Sequence, residues 1–256
     1  MSKPRKTPKP PIDVAAMKSD PSAPAFRCRE CEDTGLVHFR ESEKGPRLAR
    51  ECVDCPTYHE AFIAQFGPAS GIPGRHLREG GFGAFVARSK DEEALQHRGE
   101  AYVAGFARNS PGMLLCGPPG TGKTFFAAAI AVGVLHRRFR PKWWNVPEVL
   151  AAITATFTRG GGDESEWSIL EEARGADLLV LDDLGAEKAT DFALKEVFLL
   201  INQRIEENMP TLITTNLPEK RWEESFGPRI ADRLYEIAPK ANRIVVGGKS
   251  RRGSKD

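Results

Sequence analysis

No run of about eighteen apolar residues occurs in the chain, so a membrane-spanning helix is not expected. The opening stretch MSKPRKTPKPPIDVAAMKSD is basic and proline-rich but has no apolar centre, which argues against a secretory signal. Charge of one sign is also missing. Lys and Arg number 37 against 35 Asp and Glu, and the net +2 neither demands nor excludes nucleic acid. No internal repeat is visible. Cysteine is scarce, at 5 in 256 residues. A chain without a secretory signal is expected in the cytoplasm, where thiols stay reduced, so its cysteines are expected to bind metal rather than to pair as disulfides. What remains, 40% hydrophobic and 28% charged residues, is the composition of a folded globular protein.

The chain divides by composition. Residues 1–25 hold Lys3, Arg5, Lys6 and Lys9 among prolines, with little to bury, and are expected to be a disordered basic tail. Residues 26–60 carry four cysteines and no long apolar run, so they need a metal staple to fold. Residues 61–75, AFIAQFGPASGIPGR, read as a short helix and a Gly/Pro hinge linking that module to a larger domain over 76–250, with 251–256 as a tail. From about residue 76 apolar strands alternate with helices. MLLC (113–116), KWWNV (142–146), DLLVLDD (177–183), TLITTN (211–216) and NRIVV (242–246) are the expected strands. Helices are expected over 91–108, 124–139, 147–157, 191–208 and 229–237. Five buried strands interleaved with helices predict an α/β three-layer domain on a five-stranded parallel sheet.

Between the first strand and its helix stands GPPGTGKT, Gly117, Pro118, Pro119, Gly120, Thr121, Gly122, Lys123 and Thr124. It matches G-x-x-x-x-G-K-[ST] at every fixed position. Glycines let backbone N–H groups turn inward around phosphates, the helix adds its positive end, Lys123 reaches the β- and γ-phosphates, and Thr124 holds Mg²⁺. Such a loop requires an acidic strand end elsewhere, and LLVLDDLG supplies it. Asp182 is the candidate Mg²⁺ carboxylate, and Asp183 the candidate to polarise the attacking water. Asn216, closing TTN, is placed to orient that water. Taken alone, Asn216-Leu217-Pro218 is equally a strand-ending turn.

With these motifs in order, the chain resembles the AAA+ ATPases, and within them the DnaC/DnaI-type replicative helicase loaders and their IstB-type transposition relatives. SGIPGRHLREGGFGAF (70–85), NVPEVLAAITATF, ADLLVLDDLG, FGPRIADRLYE (226–236) and GGKSRRG (247–253) carry the resemblance over roughly 69–250. It implies ATP held between neighbouring subunits, with an arginine finger from one reaching the γ-phosphate of the next. Arg233 best matches that finger and Arg229 is the second candidate, although both could equally make surface pairs, such as Arg233 with Asp232 or Glu236. Asp183 stands where the wider group often has Glu. One methylene shorter, it points to slow turnover and use of ATP as a timed switch. Only about ten residues follow Val246, so the helical lid of many relatives is not expected, and Arg251 and Arg252 are weak candidates for a second sensor.

Cys28, Cys31, Cys52 and Cys55 follow C-x₂-C-x₂₀-C-x₂-C, the pattern of a closed tetrahedral Zn²⁺ site. His38 and His59 lie near enough in sequence to replace one thiolate. A redox-active pair would show one such motif near a βαβ unit, not two bracketing a small loop. Cys116, in the first strand, reads as plain core. The CEDTG run resembles zinc modules preceding the ATPase domain in DnaI-like and phage loaders, which implies docking on a hexameric replicative helicase. Mixed charge around the cysteines suits a protein surface better than a phosphate backbone. For single-stranded DNA the candidates are Arg140 and Trp143 in RRFRPKWW (137–144), which joins cations for phosphates to aromatics for bases, and Phe157 and Arg159 after the next helix, which the resemblance places in the family's inner-channel region. Trp143 and Trp144 could instead begin a buried strand. The resulting expectation is an ATP-hydrolysing helicase loader with ATP, Mg²⁺ and Zn²⁺, self-associating through its ATP interface. The alternatives are an IstB-like ATPase regulating a transposase on duplex DNA, or an ATP-binding scaffold that does not turn ATP over.

Overall fold

The computed structural model describes residues 36–39, 48–51, 55–79, 81–158, 170–185, 191–248, 250 and 251. Cys28, Cys31, Cys52, Arg159 and Arg252, and the tails over 1–25 and 252–256, lie outside them. The chain divides into two compact units, 1–62 and 63–256. In the first, β1 (Leu36–Phe39) and β2 (Leu48–Glu51) pair antiparallel, with Leu36 opposite Glu51 and Phe39 opposite Leu48.

The expected hinge over 61–75 is more ordered than its Gly and Pro content predicts. Helix α1 runs Pro56–Ala69, with Pro68 in its last turn and the helix ending one residue later, and α2 follows at Gly74–Glu79. The division between units falls at Phe62 and Ile63, inside α1, so most of this segment packs with the larger unit. Ser70 and Gly71 lie along the outer edge of the sheet, where the Trp143 amide donates to the Ser70 carbonyl at 2.7 Å. A Cβ on Gly71 would come within 2.8 Å of the Trp143 carbonyl oxygen, so only glycine can close this edge.

The larger unit continues with α3 (Lys90–Ala104), β3 (Met113–Cys116), α4 (Lys123–His136), β4 (Pro141–Asn145) and α5 (Val146–Thr158). Then come β5 (Leu178–Leu184), α6 (Asp191–Glu206), β6 (Thr211–Thr215), α7 (Trp222–Phe226), α8 (Pro228–Ile237) and β7 (Arg243–Val245). The strands form one five-stranded parallel sheet in the order β4-β5-β6-β3-β7, as expected from the apolar runs.

Period-two alternation splits β3, β4, β5 and β6 between two cores. Met113, Leu115, Trp143, Leu178, Val180 and Leu212 join the core around α4. Leu114, Cys116, Trp144, Leu179, Leu181 and Ile213 join the core around α6 and α8. Helix α4 is buried nearly all round, because the sheet covers one side and α3 another; this explains its unbroken run of Ala, Ile, Val and Leu.

Arg204 on α6, a residue the sequence reading passed over, is fully buried. Its guanidinium donates to the carbonyls of Ala173, Arg174, Ala176 and Pro210 at 2.6 to 3.2 Å, and to Thr211 Oγ1 at 2.9 Å. Burial pulls its pKa down to about 10. It stitches the turn before β5 to the turn before β6.

Candidate functional site

Parallel strands bring their carboxyl ends to one edge of the sheet. In this order β6 lies between β3 and β5, so three loops far apart in sequence meet there. The loop after β3 is the glycine-rich one. Gly117, Gly120 and Gly122 have φ of +149°, +83° and +98°. A Cβ on Gly117 would stand 2.2 Å from the Val246 carbonyl oxygen, and one on Gly120 would stand 2.2 Å from Ser250 Oγ. At Gly117 positive φ and a fixed backbone neighbour together require glycine; at Gly120 the left-handed φ is the main reason, since the serine hydroxyl can turn aside. Gly122 is the N-cap of α4 and supplies no side-chain bond, so the first amides of this helix stay available to an anion.

Lys123 is 4% exposed, and its ammonium donates to the Gly117 and Pro118 carbonyls and to Asn216 Oδ1, each at 2.8 Å. The end of β6 therefore meets the phosphate loop through Asn216. Thr124 Oγ1 lies 3.1 Å from Asp182 Oδ1 across the gap between α4 and β5. Two hard oxygen donors this close, one a carboxylate, form a donor set suited to Mg²⁺. Asp182 is 3% exposed, and its carboxyl pKa is raised. Burial is the main cause and neighbouring Asp183 adds to it; bonds from Thr214 and Thr124 and the charge of Lys123 oppose it.

β5 is irregular at this point. Leu181 pairs with Ile213 and Leu184 with Thr215, so β5 uses one residue more than its partner. The extra residue is Asp183, at φ +59° in the left-handed region. The bulge turns Leu184 into the same core as Leu179 and Leu181, reversing strict alternation. It also leaves Asp183 Oδ1 within 3.5 Å of Asn216 Nδ2. The residue missed in the sequence is Thr214, fully buried, whose hydroxyl donates to Asp182 Oδ1 at 2.7 Å and accepts the Asp183 amide at 3.0 Å. In TTN the sequence singles out Asn216, and nothing local marks which hydroxyl faces a carboxylate.

The carboxyl-terminal stretch closes over the loop. The Val246 amide donates to the Cys116 carbonyl at 2.7 Å, and the Arg251 amide to the Gly120 carbonyl at 2.8 Å. The Arg251 guanidinium pairs with Glu92 and lies 5.2 Å above the Phe85 ring. Arg229 and Arg233 stand on α8. Arg229 is exposed, and Arg233 pairs with Glu236 on its own helix, the local partner allowed for above.

RRFRPKWW departs from its expected role. Arg137 donates to the Val103 and Phe106 carbonyls at 2.6 and 3.0 Å, and Phe139 packs edge-on against Phe106 at 4.9 Å. The Arg140 amide donates to Asp177 Oδ2 at 2.8 Å, and its guanidinium nitrogen is 3.7 Å from the same carboxylate. Trp143 and Trp144 are each 6% exposed and belong to opposite cores. Trp143 is corrected from DNA contact to core, since its ring has no face open to a base, and Arg140 is half-committed to Asp177. Phe157 falls on the last turn of α5. Cys116 is core, with its thiol pushed up by burial. Cys55 is buried, and no cluster of three His, Cys, Asp or Glu suited to a metal occurs among the described residues.

Comparison with known proteins agrees with the phosphate-loop geometry. The chain is 29% identical over 133 residues to the replicative helicase loader DnaC of Escherichia coli (strain K12), covering 52% of this chain and 54% of that protein. It therefore spans about half the length of the curated relatives it matches. A crystal structure of the DnaC helicase loader superposes with a TM-score of 0.61 at 19% identity, covering 68% of this chain and 100% of that one. A crystal structure of DnaI gives 0.58 at 24%, covering 71% and 95%. At these identities what is shared is the fold, a P-loop AAA+-like α/β domain on a five-stranded parallel sheet. Residues 86–255 match the family model described as IstB-like ATP binding protein. That match takes in well over half of the sequence, from the approach to α3 to beyond β7, and the chain belongs to the IstB-like ATP-binding protein family.

Proposed function

We propose that this chain is an ATP-hydrolysing switch that loads, or helps load, a hexameric replicative helicase onto single-stranded DNA. The observation that carries the ATPase part is the convergence of Lys123, Thr124, Asp182, Asp183 and Asn216 at the ends of β3, β5 and β6. In this reading the amides of the loop from Gly117 to Thr124 and the Lys123 ammonium hold the phosphates of ATP. Thr124 and Asp182 hold Mg²⁺, which supplies charge neutralisation at the phosphates when bound. Asp183 takes the proton of the attacking water and Asn216 orients it. Arg233, with Arg229 as second candidate, serves the site of a neighbouring subunit, so turnover depends on self-association.

The helicase as partner rests on the relatives' function, and the zinc module on the cysteines. Leu36 pairs with Glu51, so the chain entering β1 and the chain leaving β2 lie side by side. Cys28 and Cys31 precede the first, and Cys52 and Cys55 follow the second. A hairpin of this register favours both pairs sharing one Zn²⁺ and presenting a small rigid surface to the helicase. The setting is the cytoplasm, consistent with replication; among the described residues no helix is long and apolar enough to cross a membrane. The family description favours a second reading, an IstB-type ATPase that serves a transposase on duplex DNA.

The test uses the purified full chain. ATP turnover stimulated by single-stranded DNA, with capture of the replicative helicase and zinc bound by wild type but not by Cys28→Ser, supports the loader. Stimulation by duplex DNA without helicase capture supports the transposition reading. ATP binding without turnover under any of these conditions leaves a scaffold.

A further inference from the structure

We propose that Thr214 is a positioning residue of the nucleotide site, setting the carboxylate of Asp182 and holding the bulge that carries Asp183. The proposal rests on Asp182 being the metal-holding carboxylate, and extends that reading to a residue which touches neither metal nor nucleotide.

Strand alternation puts Thr214 on the α4 side of β6, the side to which Asp182 points from β5. In a regular parallel ladder the Asp183 amide would donate to a carbonyl of β6. The bulge removes that partner, and a buried amide without one is costly. The Thr214 hydroxyl replaces it, accepting the Asp183 N–H at 3.0 Å. Its one proton is then committed to Asp182 Oδ1, at 2.7 Å. Because Oδ1 is the same oxygen that meets Thr124 at 3.1 Å, its direction is set from both sides of the gap. Thr215 secures the other face. Its hydroxyl donates to the Leu184 carbonyl at 2.7 Å and accepts the Leu217 amide at 3.1 Å. Both threonines are fully buried, so no water replaces either hydroxyl at this point of the sheet. A hydroxyl that bonds a metal-holding carboxylate fixes its orientation, and loss of such an outer partner weakens the metal rather than the rest of the ligand.

The measurement is a titration of the full chain with Mn²⁺, followed by electron paramagnetic resonance in the presence of a non-hydrolysable ATP analogue. Binding of the analogue in EDTA is measured in parallel. Thr214→Val, which keeps the volume and removes the hydroxyl, is expected to weaken Mn²⁺ binding about ten- to a hundredfold. Binding of the analogue in EDTA should stay unchanged, and Thr214→Ser should return Mn²⁺ binding close to wild type. Thr214→Ala is the second hydroxyl-free variant, in case valine prevents folding. If either folded hydroxyl-free variant binds Mn²⁺ like wild type while Asp182→Asn loses it, the role of Thr214 is overturned and the metal reading of Asp182 survives. If Asp182→Asn binds Mn²⁺ like wild type, the reading of the site fails, and the proposal with it. Parallel loss of Mn²⁺ binding, EDTA binding and thermal stability, not rescued by serine, would make Thr214 a folding residue only and overturn the proposal.

Discussion

The two ends of α4 carry two cation-bearing sequences with opposite fates. At its start GPPGTGKT leaves backbone amides without a side-chain cap and holds a single lysine against carbonyls and Asn216. At its end RRFRPKWW is rich in cations, yet Arg137 is held by neighbouring carbonyls, Arg140 pairs half-exposed with a buried carboxylate, and the two tryptophans enter the two cores. The helix explains part of the difference. Its N-terminal amides draw anions from outside, whereas past its other end Arg137 is held by the Val103 and Phe106 carbonyls at the C-terminal end of α3, where a cation is favoured. The other part is covering. Glycines keep the first sequence free of side chains, while α3 and the turn before β5 close over the second. Positive charge alone is therefore a poor guide to phosphate binding; unsatisfied backbone donors are a better one.

The contrast can be broken from the structural side first. Trp143→Ala is expected to cost about 3–5 kcal/mol of stability, as for a large buried aromatic, read by denaturant unfolding. If stability holds and single-stranded DNA affinity falls instead, the tryptophan belongs to a binding face after all. From the other end, Lys123→Ala should lower ATP turnover about 100- to 1,000-fold, the scale for removing one preorganised donor of charge stabilisation. Its melting temperature should fall modestly, because the Gly117 and Pro118 carbonyls and Asn216 each lose a buried donor. A collapse of the fold with this substitution would erase the distinction between the two ends.

Asp182→Asn tests the same opposition within one residue. Burial raises the pKa of Asp182, so ionising it costs the fold stability. That cost is absent below the ordinary carboxylate range and grows as pH rises through the raised value. In EDTA at neutral pH the asparagine variant should melt above wild type, with the gap closing toward about pH 4, while metal binding is lost. A lower melting temperature at neutral pH would mean that the bonds from Thr214 and Thr124 outweigh burial. The smallest effect is expected for Arg140→Ala. Its half-exposed ion pair contributes at most about 1 kcal/mol, and single-stranded DNA affinity should stay within about threefold of wild type, measured by fluorescence anisotropy. A fall well beyond this, uniform across sequences, would return Arg140 to the DNA path.

Much of the fold was legible because its signals are local. Each apolar run became a strand within two residues of its expected bounds, and the five strands joined in one parallel sheet. The phosphate loop was legible for a different reason: glycine with positive φ followed by Lys and Thr at a helix start is a backbone requirement written in consecutive residues. Less was legible over 61–75, where Gly and Pro suggested a free hinge but the chain runs through two helices and closes the edge of the sheet against Trp143. Arg204 gave no signal at all, since its carbonyl partners come from the end of one turn and the start of another.

The sequence by itself determined the strands, the loop and the acidic run at the end of β5, because each is written in consecutive residues. Tertiary structure alone decided that Thr214 faces Asp182, that Asp183 is the extra residue of a bulge, that Trp143 lies in the core, and that Arg137 and Arg140 have partners within the fold. Those roles depend on partners some thirty residues or more away, brought near by strand order. A side chain's chemistry can be read from the sequence, but whether it is left free for a ligand depends on which carbonyl or carboxylate reaches it first.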